Sequence, residues 1–132
     1  MALLFLNGGG MRGGPLHHQL RGAPLVGVVR TAPKYRYYSV GDRFPALAPT
    51  DGVTDVGTSV TGELYDVPLG VLRESLLPAE PPELELGVVE LADGASALAT
   101  VLRRDLPEGT ELTDIGQVGD WRAYLATLER TA

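Results

Sequence analysis

Leu4-Phe5-Leu6-Asn7-Gly8-Gly9-Gly10-Met11-Arg12-Gly13-Gly14-Pro15 is the stretch on which the reading of this chain turns. An apolar run stops abruptly in glycines, and a proline then opens the next element. Ala2–Asn7 is apolar without alternation, which predicts a strand buried on both faces. Five of the seven residues Gly8–Gly14 are glycine, so the backbone there adopts unusual angles, with main-chain groups exposed and side chains absent. Pro15 suits the first turn of a short helix, Pro15–Leu20, which Gly22 stops.

Outward from this stretch, Ala23–Val40 has strand character from Val26, Val28 and Val29. The aromatic run Tyr35-Arg36-Tyr37-Tyr38 continues it past a break at Pro33. A proline-containing loop is expected around Pro45 and Pro49. Val56–Val67 alternates as a strand, and Pro68 opens a helix over Leu69–Leu77 that ends at Pro78-Ala79-Glu80-Pro81-Pro82. Glu85–Leu91 and Ala95–Arg104 read as strands joined by the tight turn Ala92-Asp93-Gly94. A last helix runs from Asp120, an N-cap candidate, through Trp121, Tyr124, Leu125 and Leu128. About six strands joined mostly by hairpin-length turns, with three short helices, predict an α+β fold with a small mixed, largely antiparallel, barrel-like sheet. A doubly wound parallel sheet needs a helix after nearly every strand, and this chain lacks them.

The 132 residues fit one domain over 1–132, large enough to form a core without metal or disulfide staples. Cysteine is absent, which excludes disulfides, thiolate metal sites and a thiol nucleophile, and fits a reducing, cytoplasmic setting. The net charge of −6, from 11 basic and 17 acidic residues, lacks the electrostatic footprint of nucleic-acid binding. The opening Met1–Leu6 lacks the basic region of a signal peptide, and no run approaches the ~20 apolar residues that span a bilayer.

The glycine-rich loop is the first candidate site. A strand that ends in glycines and passes into a helix can aim several N–H groups at a carboxylate, a phosphate or a developing oxyanion. The Gly-Lys-Ser/Thr ending of a P-loop is missing, and so is the βαβ schedule of a dinucleotide fingerprint. The alternative is a turn that needs glycine for shape alone. His17 and His18 follow directly, and successive helical positions lie ~100° apart, so both cannot enter one site. One of them is available for acid–base chemistry near neutral pH; otherwise both are solvent-facing imidazoles. Glu80, stiffened by Pro78, Pro81 and Pro82, is a candidate proton carrier if it faces an apolar pocket. Beside Glu83 and Glu85 the local sequence favours a solvated acidic edge that includes all three. Arg12 is able to fork onto a carboxylate, or it is a surface arginine. Tyr37 reads either as sheet packing or as part of the binding surface. With no cysteine and only an adjacent pair of histidines, zinc is not expected, and no cofactor is implied.

Leu4 to Gly13, together with Gly62-Glu63-Leu64-Tyr65-Asp66-Val67 before a short helix, resembles the signature of the gamma-glutamylcyclotransferase-like superfamily. Three further stretches resemble the C-terminal domain of allophanate hydrolases: Pro15-Leu16-His17-His18-Gln19-Leu20, Arg30-Thr31-Ala32-Pro33-Lys34-Tyr35-Arg36 and Leu86 to Gly94. The resemblance spans most of residues 3–105. The cyclotransferase likeness implies that loop amides hold a carboxylate while a glutamate after the short helix, at the place of Glu80, moves protons. Asn7 and Gly9 stand where that signature has Tyr and Ser/Thr. The allophanate hydrolase likeness implies decarboxylation of a small N-carboxy compound, with His18 implicated and a separate amidase as partner. His17 stands where that stretch usually has asparagine. Together these imply a transferase- or lyase-type enzyme for a small carboxylate- or amide-bearing molecule, with Glu80 and His18 as catalytic candidates. The binding candidates are Asn7, Gly8, Gly9, Gly10, Met11, Arg12, His17 and Tyr37. The rival expectation is a non-catalytic domain that binds a ligand, docks on an amidase or self-associates.

Overall fold

The structure, a computed structural model, describes residues 2–51 and 56–131. Its architecture is α+β, with two sheets, a few short helices and no closed barrel. The larger sheet has the order β2-β5-β1-β7-β6, built from β1 (Ala2–Leu6), β2 (Leu25–Arg30), β5 (Thr61–Val67), β6 (Leu84–Glu90) and β7 (Ser96–Leu102). β1 is central: it pairs antiparallel with β5, Phe5 opposite Leu64, and parallel with β7, Leu4 opposite Leu98. Its apolar run follows from that position, since Leu4, Phe5 and Leu6 are all buried. The two outer strands approach each other where a bridge joins Thr31 to Leu91, flanked by bonds from the Ala32 amide to the Glu90 carbonyl and from the Ala92 amide to the Arg30 carbonyl. The sheet is therefore strongly curved without closing.

The smaller sheet has the order β4-β3-β8, from β3 (Tyr35–Val40), β4 (Phe44–Pro49) and β8 (Leu112–Asp114). β4 occupies the segment expected to be a proline loop. It lies at a sheet edge, where Pro45 and Pro49 have no second neighbour to which an N–H would donate. β3 turns into β4 through Gly41 and Asp42, both with φ of 58°. β8 was not anticipated; it is three exposed residues with no alternation to read. The strand expected from Val56 begins only at Thr61, and Val56 is 93 % exposed. Asp93-Gly94 turns the β6–β7 hairpin as expected, with Gly94 at φ 90°.

The expected first helix is a single 3₁₀ turn, His17–Leu20. The helix after Pro68 runs over residues 69–79, and its middle, Leu72–Leu76, is π-wound: the Leu77 amide bonds to the Leu72 carbonyl. Pro78 follows at once and has no amide to restore the α register. The C-terminal helix Trp121–Thr131 is capped by Asp120, whose carboxylate accepts from the Ala123 amide at 3.1 Å. The core is a cluster around Leu4, Phe5, Tyr37, Leu47, Tyr65 and Leu76, joined by Leu20 and Trp121 from the helical pieces. Among the described residues no helix is long and apolar enough to cross a membrane.

Candidate functional site

The end of β1 delivers the glycine loop into a cavity of about 240 Å³. Leu6, Asn7, Gly8, Gly9 and Gly10 line it, with Pro15 and Leu16 following. Arg43, Phe44 and Pro45 come from the start of β4; Ala79, Glu80 and Pro81 come from the end of the composite helix; Leu84 and Thr100 complete the lining. A larger groove of about 590 Å³ along Leu86, Val88, Val101 and Arg103 contains none of the candidate residues.

Local chemistry fixes the loop. The Met11 amide donates to the Gly8 carbonyl at 3.1 Å, the Gly14 amide to the Met11 carbonyl at 2.9 Å and the Leu16 amide to the Gly9 carbonyl at 2.8 Å. The last bond folds the loop back on itself so closely that a Cβ on Gly14 would lie 2.3 Å from the Gly9 oxygen. A Cβ on Gly8 would lie 2.6 Å from the Pro45 ring, so glycine there lets β1 meet β4. The amides of Gly8, Gly9 and Gly10 donate to no other described residue, which leaves them to a ligand or solvent.

Glu80 shares this cavity. It ends the helix in extended conformation, φ −75° and ψ 148°, as a residue before proline must. Burial pushes its carboxyl up to about 7, and no neighbouring charge opposes that shift. The opening turn is therefore near a poised carboxyl, an arrangement suited to proton transfer close to neutral pH.

The other candidates lie around the cavity rather than in it. Tyr37 is fully buried, burial raises its pKa further, and its hydroxyl donates to the Asn7 carbonyl at 3.0 Å. Met11 packs into the core. His17 Nδ1 lies 3.0 Å from the Gly10 carbonyl; that oxygen only accepts, so Nδ1 carries the proton. His18 is exposed, its Nε2 3.1 Å from the Gln19 amide nitrogen, and it does not line the cavity. Arg12 turns to Glu63, with Nε 2.9 Å from Oε2.

Glu63 is a central residue that the sequence reading passed over. It is 1 % exposed in β5. Its Oε1 accepts from the Arg12 amide at 2.8 Å and the Tyr65 hydroxyl at 2.7 Å, and its Oε2 also lies 3.3 Å from Arg122. Arg122 donates in turn to the Arg12 carbonyl. Burial opposes ionisation of Glu63, but the Arg12 amide, Tyr65, the Arg12 guanidinium and Arg122 outweigh it and hold the pKa at about 2. Tyr65 is pushed to about 12 by burial and by the same carboxylate. One signal in the sequence pointed here: a glutamate amid Gly62, Leu64 and Tyr65 in an apolar strand demands partners. Arg12 and Arg122 lie 51 and 59 residues away, which no local pattern reveals. No group of three or more potential ligands that could hold a metal occurs among the described residues.

Comparisons with known proteins place the fold. In solved structures, the chain matches c4763, a uropathogenic E. coli-specific protein, at 34% identity and TM-score 0.83, covering 95% of both chains. It matches the allophanate hydrolase of Kluyveromyces lactis at 23% identity and TM-score 0.84, covering 96% of this chain and 21% of that one. It matches the urea amidolyase of the same yeast at 23% identity and TM-score 0.84, covering 96% of this chain and 8% of that one. Among curated proteins nothing matches. The sequence profile of the allophanate hydrolase C-terminal domain matches residues 2–126, and with it the glycine loop, the composite helix and nearly all of the two sheets; the chain belongs to that family.

Proposed function

We propose that this domain is a small-molecule acid–base enzyme that works in the glycine-loop cavity, with Glu80 as the proton carrier. The observation that carries this reading is the lining of one cavity by both Asn7–Gly10 and Glu80. The unengaged amides of Gly8–Gly10 supply donors for a carboxylate or amide oxygen of the substrate, at no cost in rearranging protein hydrogen bonds. Glu80, near pKa 7, both gives and takes a proton at neutral pH. The substrate class is a compact amide or N-carboxy compound, in keeping with the cavity volume and with the allophanate hydrolase and urea amidolyase named among the structural matches. Decarboxylation of an N-carboxy compound breaks a C–N bond and leaves the electron pair on nitrogen, where a proton must arrive. Cyclotransferase-type chemistry likewise moves a proton from the attacking amine to the departing nitrogen. Either step requires one poised acid–base group, and Glu80 fits better than His18, which lies outside the cavity.

A panel of N-carboxy mimics and gamma-glutamyl amides identifies the substrate. With it, Glu80→Gln should lower kcat by about 10² or more, while His18→Ala stays within about threefold of the parent. Full activity in Glu80→Gln would refute the assignment. A second reading, a non-catalytic domain that docks on an amidase, draws on the match to only 21% and 8% of two larger chains. Under that reading the domain binds an amidase protein and changes its turnover, and Glu80→Gln leaves that effect intact.

A further inference from the structure

Arg43 is the one cationic side chain among the described residues that line the cavity holding Asn7–Gly10 and Glu80. No local pattern singles it out, because it sits in a segment that reads as a loop. In the structure it leads into β4 directly after the Gly41–Asp42 turn, and two contacts define where its charge lies. Its guanidinium carbon is 5.1 Å from the centre of the Phe44 ring, which lines the same cavity. That contact holds the guanidinium beside a ring of the cavity wall. One terminal nitrogen donates to Glu83 Oε2 at 3.1 Å. Glu83 is only 8 % exposed, and its Oε1 is buried without a partner.

A purely structural pair explains this arrangement poorly. The Arg43 side chain is 63 % exposed, so the pair is screened and contributes little to stability. The half-satisfied carboxylate of Glu83 is meanwhile a desolvation liability. What the pair does achieve is to fix one arm of a five-donor fork and leave the rest of the fork for another acceptor. Across the same cavity lining, Arg43 supplies a permanent cation and Glu80, raised by burial, a proton-carrying carboxyl.

We propose that Arg43 is the anion receptor of this cavity, holding the carboxylate of a small acid whose amide or N-carboxy end lies on Gly8–Gly10 against Glu80. Glu83 is a positioning residue for Arg43. The inference rests on the proposed function and narrows its substrate to compounds that carry a negative charge at one end. Neutral amides of the same size should bind weakly.

The test is titration of malonate and of its uncharged isostere malonamide, by calorimetry and by amide shifts of Gly8–Gly10. The proteins are the parent chain, Arg43→Gln and the double variant Arg43→Gln/Glu83→Gln. The double variant leaves no uncompensated carboxylate, so it decides the matter if Arg43→Gln alone folds poorly. Loss of a charged hydrogen bond predicts malonate affinity weaker by about tenfold or more in both variants, with malonamide affinity little changed. Malonate that shifts Gly8–Gly10 with equal affinity in the parent and the double variant overturns the role of Arg43 and leaves the cavity reading standing. Parent protein in which neither probe moves Gly8–Gly10 overturns both.

Discussion

Glu80 lines the glycine-loop cavity and Glu63 bonds the loop at Arg12, and their surroundings push the two carboxyls in opposite directions. Glu80, half-buried and without a side-chain partner, rises to about 7 from the ordinary 4.5. The folded state then holds its proton more tightly than the unfolded chain does. Its contribution to stability is full below about 4.5 and is lost as pH rises through about 7. Glu80→Gln should remove that loss and unfold in urea up to roughly 3 kcal/mol harder than the parent at pH 8, with no gain at pH 4. Equal stability of the two at pH 8 would mean that Glu80 is solvated. Glu63, at about 2, behaves in the reverse sense: its contribution is present above about 4.5 and lost as pH falls toward 2. Glu63→Gln should cost about 2 kcal/mol at pH 7, less than a fully buried broken pair because Arg12 and Arg122 are half exposed, and the deficit should shrink in acid. Of these two, only Glu80 was legible in the sequence, because three prolines mark its corner. Glu63 shows in sequence only as a glutamate within an apolar strand, and the fold alone brings its two arginines to it.

At the level of elements, the site depends on a strand end, an irregular helix and a tether. β1, β5 and the β6–β7 hairpin were legible because burial on both faces and turn chemistry leave plain marks in sequence. β4 was hidden by its prolines, and with it Arg43, Phe44 and Pro45, a full side of the cavity. The π-wound segment was equally silent, since helical spacing of apolar residues does not separate a π turn from an α turn. The C-terminal helix does more than pack through Trp121. Arg122 reaches Glu63 and the Arg12 carbonyl, and Tyr124 donates to Asp42 at 2.6 Å, so the helix ties the glycine loop to the β3–β4 turn. Arg122→Ala should therefore speed hydrogen exchange at the Arg12 amide and the loop around it while leaving β1 and β5 protected. Unchanged exchange at Arg12 would show that Glu63 holds the loop without help from the helix.

At the level of the molecule, the cavity is assembled from segments near residues 6–16, 43–45, 79–84 and 100, which converge only when both sheets are in place. That explains why residue patterns nominate Asn7–Gly10 and Glu80 separately, and only the resemblance to cyclotransferases sets them at one site. The curved sheet, with β1 at its centre, carries the loop to the same end as the composite helix and thereby brings the two together. The central claim is that the glycine loop and Glu80 form one working site. The direct test is an NMR titration from pH 4 to 9 that follows the Glu80 carboxyl carbon and the amides of Gly8–Gly10 in the same sample. If the two form one site, Glu80 titrates near 7 and the glycine amides shift with the same midpoint. A Glu80 midpoint near 4.5, with the glycine amides unmoved around pH 7, would contradict it.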